Sequence, residues 1–141
     1  MLGQAYRQAG RADSAAAVLE RARQDWPKDP RLATALALVY RDRGDLQQAA
    51  AVLETAAANW PDDGLVAGNL GAVYLDLRRG TEAERQLRKA VLYHPAGRTE
   101  WLADLSQALA LQGRYQEARQ ALAGALSRSP GDQRLEELSR T

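Results

Sequence analysis

The chain has no cysteine and a single histidine, and its only lysines are Lys28 and Lys89. Without cysteine, disulfides and thiolate metal sites are excluded. His94 alone cannot supply the ligand set of a protein-built transition-metal site. No run of 18 apolar residues exists, so no helix is expected to cross a bilayer. Met1 to Arg7 lacks the charged start and apolar stretch of a signal peptide, and the compartment stays open between cytoplasm and periplasm. Neither charge sign dominates: 19 basic and 18 acidic residues leave +1. That balance gives no general pull on nucleic acid or on an anionic membrane. No segment alternates with period two, so no strand is expected. No phosphate loop, dinucleotide fingerprint, nucleophile elbow or zinc motif is found. We therefore expect no cofactor, no metal and no catalytic residue. Arginine in place of lysine reads as GC-rich bacterial coding.

What is present is a repeat. The set Tyr40, Gly44, Ala49, Leu53, Ala56 and Pro61 has a forerunner in Tyr6, Gly10, Ala15, Leu19, Ala22 and Pro27. It returns as Tyr74, Ala83, Leu87, Ala90 and Pro95, and again as Leu109, Gly113, Ala118, Leu122, Ala125 and Pro130. Successive prolines stand 34, 34 and 35 residues apart. A fixed period of this size marks a stacked array of small units.

Within a unit the apolar spacing gives two helices. Leu32, Leu36, Val39 and Tyr40 share one face of the first. Gly44 supplies a permissive helix end, and Asp45 with Gln48 has the spacing of a capping box. The second helix carries Ala49, Leu53 and Ala56 until Pro61 stops it. Columns of small residues (Ala15, Ala49, Ala83, Ala118; Ala22, Ala56, Ala90, Ala125; Gly3, Ala37, Gly71, Ser106) allow close approach of helices. The leucine column Leu19, Leu53, Leu87 and Leu122 supplies bulk.

The runs Leu2-Gly3-x-x-Tyr6, Leu36-Ala37-x-x-Tyr40 and Leu70-Gly71-x-x-Tyr74, each followed by alanine and then proline, resemble the tetratricopeptide repeat family over residues 1–130. The resemblance implies an all-α fold, a right-handed α-solenoid of stacked antiparallel helix pairs. It also implies a concave groove lined by the first helix of each pair. The expected units are 1–29 (lacking its first turn), 30–63, 64–98 with a one-residue loop insertion in Pro95–Arg98, 99–132, and 133–141. The last is either a capping helix or the start of a further repeat. The chain reads as a section of a longer array. The sequence departs from the family pattern where Ala33 and Ala67 replace its early tryptophan. Trp101 falls beside that column. Arg78 replaces the turn glycine, and Gly80 is expected to take over the bend.

The groove face is expected to offer Gln4, Arg7 and Gln8; Arg31, Thr34, Ala35, Leu38, Arg41 and Asp42; Leu65, Asn69, Ala72 and Asp76; and Glu100, Asp104, Gln107 and Leu111. Small residues at Ala35, Gly68, Ala72 and Ala103 would leave room for a guest, and the Asn69 amide could pair with its backbone. A peptide or helix of a protein partner fits this mixed-charge face better than RNA, whose readers need a basic trough. Glu100 and Asp104 would repel the carboxylate tail that some family members hold. The alternative reading is a structural spacer or self-assembly segment, pairing through its exposed terminal helices. Trp26 and Trp60, each before a proline, are read as closing seams between units, with an aromatic ridge as the alternative. His94 is read as a helix-end contact, Asp62-Asp63 as a cap and turn, Glu136-Glu137 as a solvated face, and Tyr6, Tyr40 and Tyr74 as packing residues.

Overall fold

The computed structural model describes residues 2–140, with side chains from Gly10 onward. Among the described residues there are eight α-helices, one 3-10 turn and no strand. The chain divides into two compact units, Met1–Pro61 and Asp62–Thr141.

Unit 1 holds α1 (Leu2–Asp25), α2 (Pro30–Asp42) and α3 (Leu46–Asn59). Asp29 starts α2: its carboxylate accepts from the Arg31 amide at 2.9 Å, and Pro30 occupies a first-turn position that needs no donor. Leu36, Ala37, Ala49, Leu53 and Ala56 are buried where α2 meets α3. The Tyr40 hydroxyl donates to Glu20 at 2.7 Å and ties α2 to α1. This contact satisfies the polar end of an otherwise packed ring.

Unit 2 holds α4 (Gly64–Asp76), α5 (Gly80–Tyr93), a 3-10 turn at Pro95–Gly97, α6 (Arg98–Leu111), α7 (Tyr115–Arg128) and α8 (Gln133–Arg140). Asp63 caps α4 through the Leu65 and Val66 amides, both at 3.0 Å. Ala83, Leu87 and Ala90 of α5 are fully buried, and Ala118, Leu122 and Ala125 repeat the pattern on α7. The described members of the small columns are buried in both units, except Ala15 and Ala22 of α1, which are half-buried. At Gly71 an added Cβ would lie 2.6 Å from Leu87 Cγ, so α4 and α5 meet at a distance only glycine allows. The connection before α6 is as long as the one before α4, and α6 has 14 residues where α4 has 13.

Three local expectations change. No turn forms at Gly10, since α1 runs unbroken through it. Nothing between Gln8 and Ser14 stops a helix. An interior glycine costs roughly 0.5–1 kcal/mol, less than two helix ends with unsatisfied backbone groups. Asp45 makes no side-chain cap on α3; its carboxylate instead meets Arg43 at 3.1 Å. At the α4–α5 turn the bend is made by Arg78 itself, with φ of 61°, not by Gly80. Arg78 stands in the register of Gly44 and Gly113, at φ of 83° and 75°. The closing bonds match as well: Arg79 N–H to Tyr74 carbonyl at 2.8 Å, Asp45 to Tyr40 at 2.8 Å, Arg114 to Leu109 at 3.0 Å. Gly80 is small for another reason. A Cβ there would lie 3.0 Å from the Ala108 carbonyl of α6.

Arg78→Gly is expected to stabilise the fold by about 0.5–1 kcal/mol, the left-handed backbone cost less the added chain entropy of glycine. Leu87→Ala is expected to cost about 2–5 kcal/mol. Urea denaturation of both variants measures the two effects, and an Arg78→Gly variant weaker than the parent would refute the strain account.

Candidate functional site

The first-helix faces are set by the same periodicity that buries their opposite sides. On α2, Leu38 is 44% exposed, Arg31 and Asp42 are exposed, and Ala35 and Arg41 are half-buried. Thr34 is buried, its hydroxyl donating to the Arg31 carbonyl at 2.9 Å. On α4, Leu65 is 38% exposed, Asp76 is exposed and Asn69 is half-buried. On α6, Leu111 is 42% exposed, Glu100 is exposed and Gln107 is half-buried. Gln4, Arg7 and Gln8, like Gly3 and Tyr6, lie outside the residues whose side chains are described.

Several expected groove residues prove to be packing residues. Ala72, Ala103 and Asp104 are buried. Ala103 sits in a cluster with Leu122, Ala125 and Leu135 of the following helices. Gly68 leaves no space for a guest, because Trp101 of α6 fills it: a Cβ on Gly68 would lie 2.5 Å from Trp101 Cζ2. In unit 2 the small first-helix positions Gly68 and Ala103 are holes for bulky residues of the next helix pair. Trp101 enters the hole at Gly68, and Leu135 packs beside Ala103. Asn69 commits one amide N–H to the Leu65 carbonyl at 2.8 Å. Its oxygen and second N–H are what it can offer a guest.

The seam-closing role expected of Trp26 also fails, since its side chain is 69% exposed. Trp60 is half-buried. His94, in the same register, closes on α4: a Cβ on Gly64 would lie 2.6 Å from His94 Cβ.

Two electrostatic contacts stiffen unit 2, and neither is singled out by motif. Arg134 of α8 donates to the buried Asp104 carboxylate at 3.0 Å. This neutralises one of the acids expected to line the face. Glu84 of α5 receives Arg114 at 2.7 Å, Arg88 at 2.9 Å and Gln112 at 3.1 Å. Gln112 also reaches the Gly80 and Ala108 carbonyls. Burial alone would push the Glu84 carboxyl up, but the bonds from Gln112 and Arg88, with the charges of Arg88 and Arg114, hold it below its ordinary value. The sequence signal was there in principle: 84 and 114 are about one repeat apart and opposite in charge.

Among the described residues no group of three or more histidine, cysteine, aspartate and glutamate side chains could hold a metal. No helix of the described residues is long and apolar enough to cross a membrane.

Comparison with known families matches tetratricopeptide repeat models over residues 1–64, 40–103 and 99–129. The chain belongs to the tetratricopeptide repeat family. Solved structures of the protein MamA are similar to this tetratricopeptide repeat chain. MamA of MSR-1 is 27% identical with a TM-score of 0.76, covering 93% of this chain and 75% of that one. MamA of AMB-1 is 27% identical with a TM-score of 0.71, over 88% and 73%. MamA of Desulfovibrio magneticus RS-1 has a TM-score of 0.84 over 98% and 77%, at 19% identity, a likeness of fold alone. The bacterial reading of the arginine usage fits these neighbours. No curated protein matches the sequence. The chain is an all-α tetratricopeptide repeat solenoid and a protein–protein interaction scaffold.

Because Glu84 is held below its ordinary value of 4.5, its contribution is present above that pH and is lost as pH falls through the lowered value. Glu84→Gln is expected to cost about 1–2 kcal/mol at neutral pH, the arginines being partly exposed. The gap between parent and variant should shrink on acidification below 4.5, as followed by urea melts at several pH values. A constant gap would show that the charge is not what holds the seam.

Proposed function

We propose that the protein binds a peptide or helical segment of a partner along its first-helix faces and does no catalysis. The observation that supports this most is the exposure of Leu38, Leu65 and Leu111 on helices whose other leucines are all buried or half-buried. Each lies among polar groups on its face: Arg31 and Arg41 with Leu38, Asn69 and Asp76 with Leu65, Gln107 and Glu100 with Leu111. Apolar anchors ringed by polar groups are the pattern of a binding face rather than of a solvated one. The α2 face is basic where those of α4 and α6 carry acids. Taken unit by unit, an acidic segment is favoured on the α2 face and a basic one on the α4 and α6 faces.

A second reading, self-association, draws on the far end of unit 2. There a cleft of about 530 Å³ lies open, with Tyr115, Ala118, Leu122 and Leu138 beside Ser106, Arg119 and Arg140. Apolar lining of this kind favours a covering surface.

The test of the first reading starts from peptides selected by display on the immobilised protein. The double substitution Leu38→Asp with Asn69→Ala should weaken the selected peptides at least about tenfold, or roughly 1.4 kcal/mol, without altering the circular dichroism. Unchanged affinity with the fold intact would remove the groove from consideration. For the second reading, light scattering over a dilution series should show mass rising with concentration, whereas a strict monomer throughout rejects it.

A further inference from the structure

We propose that unit 1 carries a separate pocket that accepts a tyrosine side chain of a partner, apart from the first-helix faces. The cavity, about 340 Å³, lies among the C-terminal half of α1, the start of α2 and the C-terminal half of α3. Ala33 and Ala56 line it, with Trp60 beside them and Arg23, Gln24 and Asn59 among its polar groups.

The repeat itself shows why this space is open. One full repeat and a longer one further on, the counterpart of Ala33 is Leu102. In unit 2 that leucine fills the corresponding space: Leu102 Cδ1 lies 3.6 Å from where a Cβ on Gly124 would be. In unit 1 the leucine is replaced by alanine, and the apolar counterparts Val91 and Leu92 are replaced by Arg23 and Gln24. The result is a hole with an apolar floor and a polar wall, at the small end of ligand pockets and suited to one side chain rather than to a cofactor.

The wall chemistry narrows the ligand. Its carboxylates are already engaged: Glu20 accepts from Tyr40, and Asp29 accepts from Arg31 through two side-chain bonds and one backbone bond. With Arg23 beside Glu20 and Arg31 bound to Asp29, the wall's charges balance, so neither a cation nor an anion gains a net attraction. Arg23 has only a loose pair with Glu20, at 4.0 Å. Among the described residues, no hydrogen bond engages the side chains of Gln24 or Asn59. What remains is a flat ring beside open amide and guanidinium groups. An uncharged aromatic ring with one hydroxyl matches both.

The test uses the whole protein with nitrogen-15 tryptophan and reads the indole N–H signal of Trp60, assigned by its disappearance in a Trp60→Phe variant. N-acetyl-tyrosinamide should shift it saturably in the millimolar range. The phenylalanine analogue should bind about fivefold more weakly, the loss of one hydrogen bond, and the lysine analogue should not bind. Ala33→Leu, copying Leu102, should abolish the shift while the circular dichroism remains that of the folded helical protein. Asn59→Ala, which leaves the core untouched, should reduce the preference for tyrosine over phenylalanine. Absence of a saturable shift, equal binding of the three amides, or binding that survives Ala33→Leu would each overturn the assignment. None of these results depends on Leu38 or Asn69, so the pocket and the groove stand or fall separately.

Discussion

Close approach of helix backbones is the constraint on which the architecture rests. It is met by glycine and alanine where α4 meets α5 and where α5 meets α6. Gly71 admits Leu87, and Gly80 admits the end of α6. With the backbones this near, one leucine per pair fills the remaining space, and Leu53 and Leu87 are accordingly inaccessible to solvent. Dense packing of this kind tolerates neither a missing methylene nor an added one without cost. The larger consequence is that the fold is specified by where side chains are small as much as by where they are large.

The same economy decides what is left over for binding. A small residue on a first helix looks like room for a guest, yet at Gly68 and Ala103 the room is already used by the array. What a partner can meet are the positions one turn away, where leucines and polar groups stay exposed. Charged seams complete the picture. Glu84 draws Arg114 and Gln112 across from the following helix pair, and Arg134 does the same for Asp104. These contacts place the following helices on the pair before.

Much of this could be read from the residues. The period, the two-helix unit, the inward columns and the pre-proline stops depend on local chemistry and regular spacing, so the sequence states them directly. The misses are instructive because each is a non-local effect. Gly10 carries the turn residue, but the helix on either side of it was able to continue. Arg78 lacks the turn residue, yet the packing of α4 and α5 bends the chain there all the same. Trp26 has the register of Trp60 and His94 but stays exposed. Periodicity reaches its limit at the face residues. It could not tell Ala72 or Asp104, which their neighbours cover, from Asn69 or Leu65, which theirs do not.

The contacts that bridge helix pairs in unit 2 join residues about one repeat apart: Glu84 with Arg114, Asp104 with Arg134. No seam there has to wait for a distant part of the chain, or to hold one in place. Under tension such a unit would come undone pair by pair from an end, each pair releasing about 110–120 Å of slack. Resistance to such stepwise unfolding would rest on buried leucines such as Leu87 and Leu122, since the chain has no cysteine to form a covalent staple.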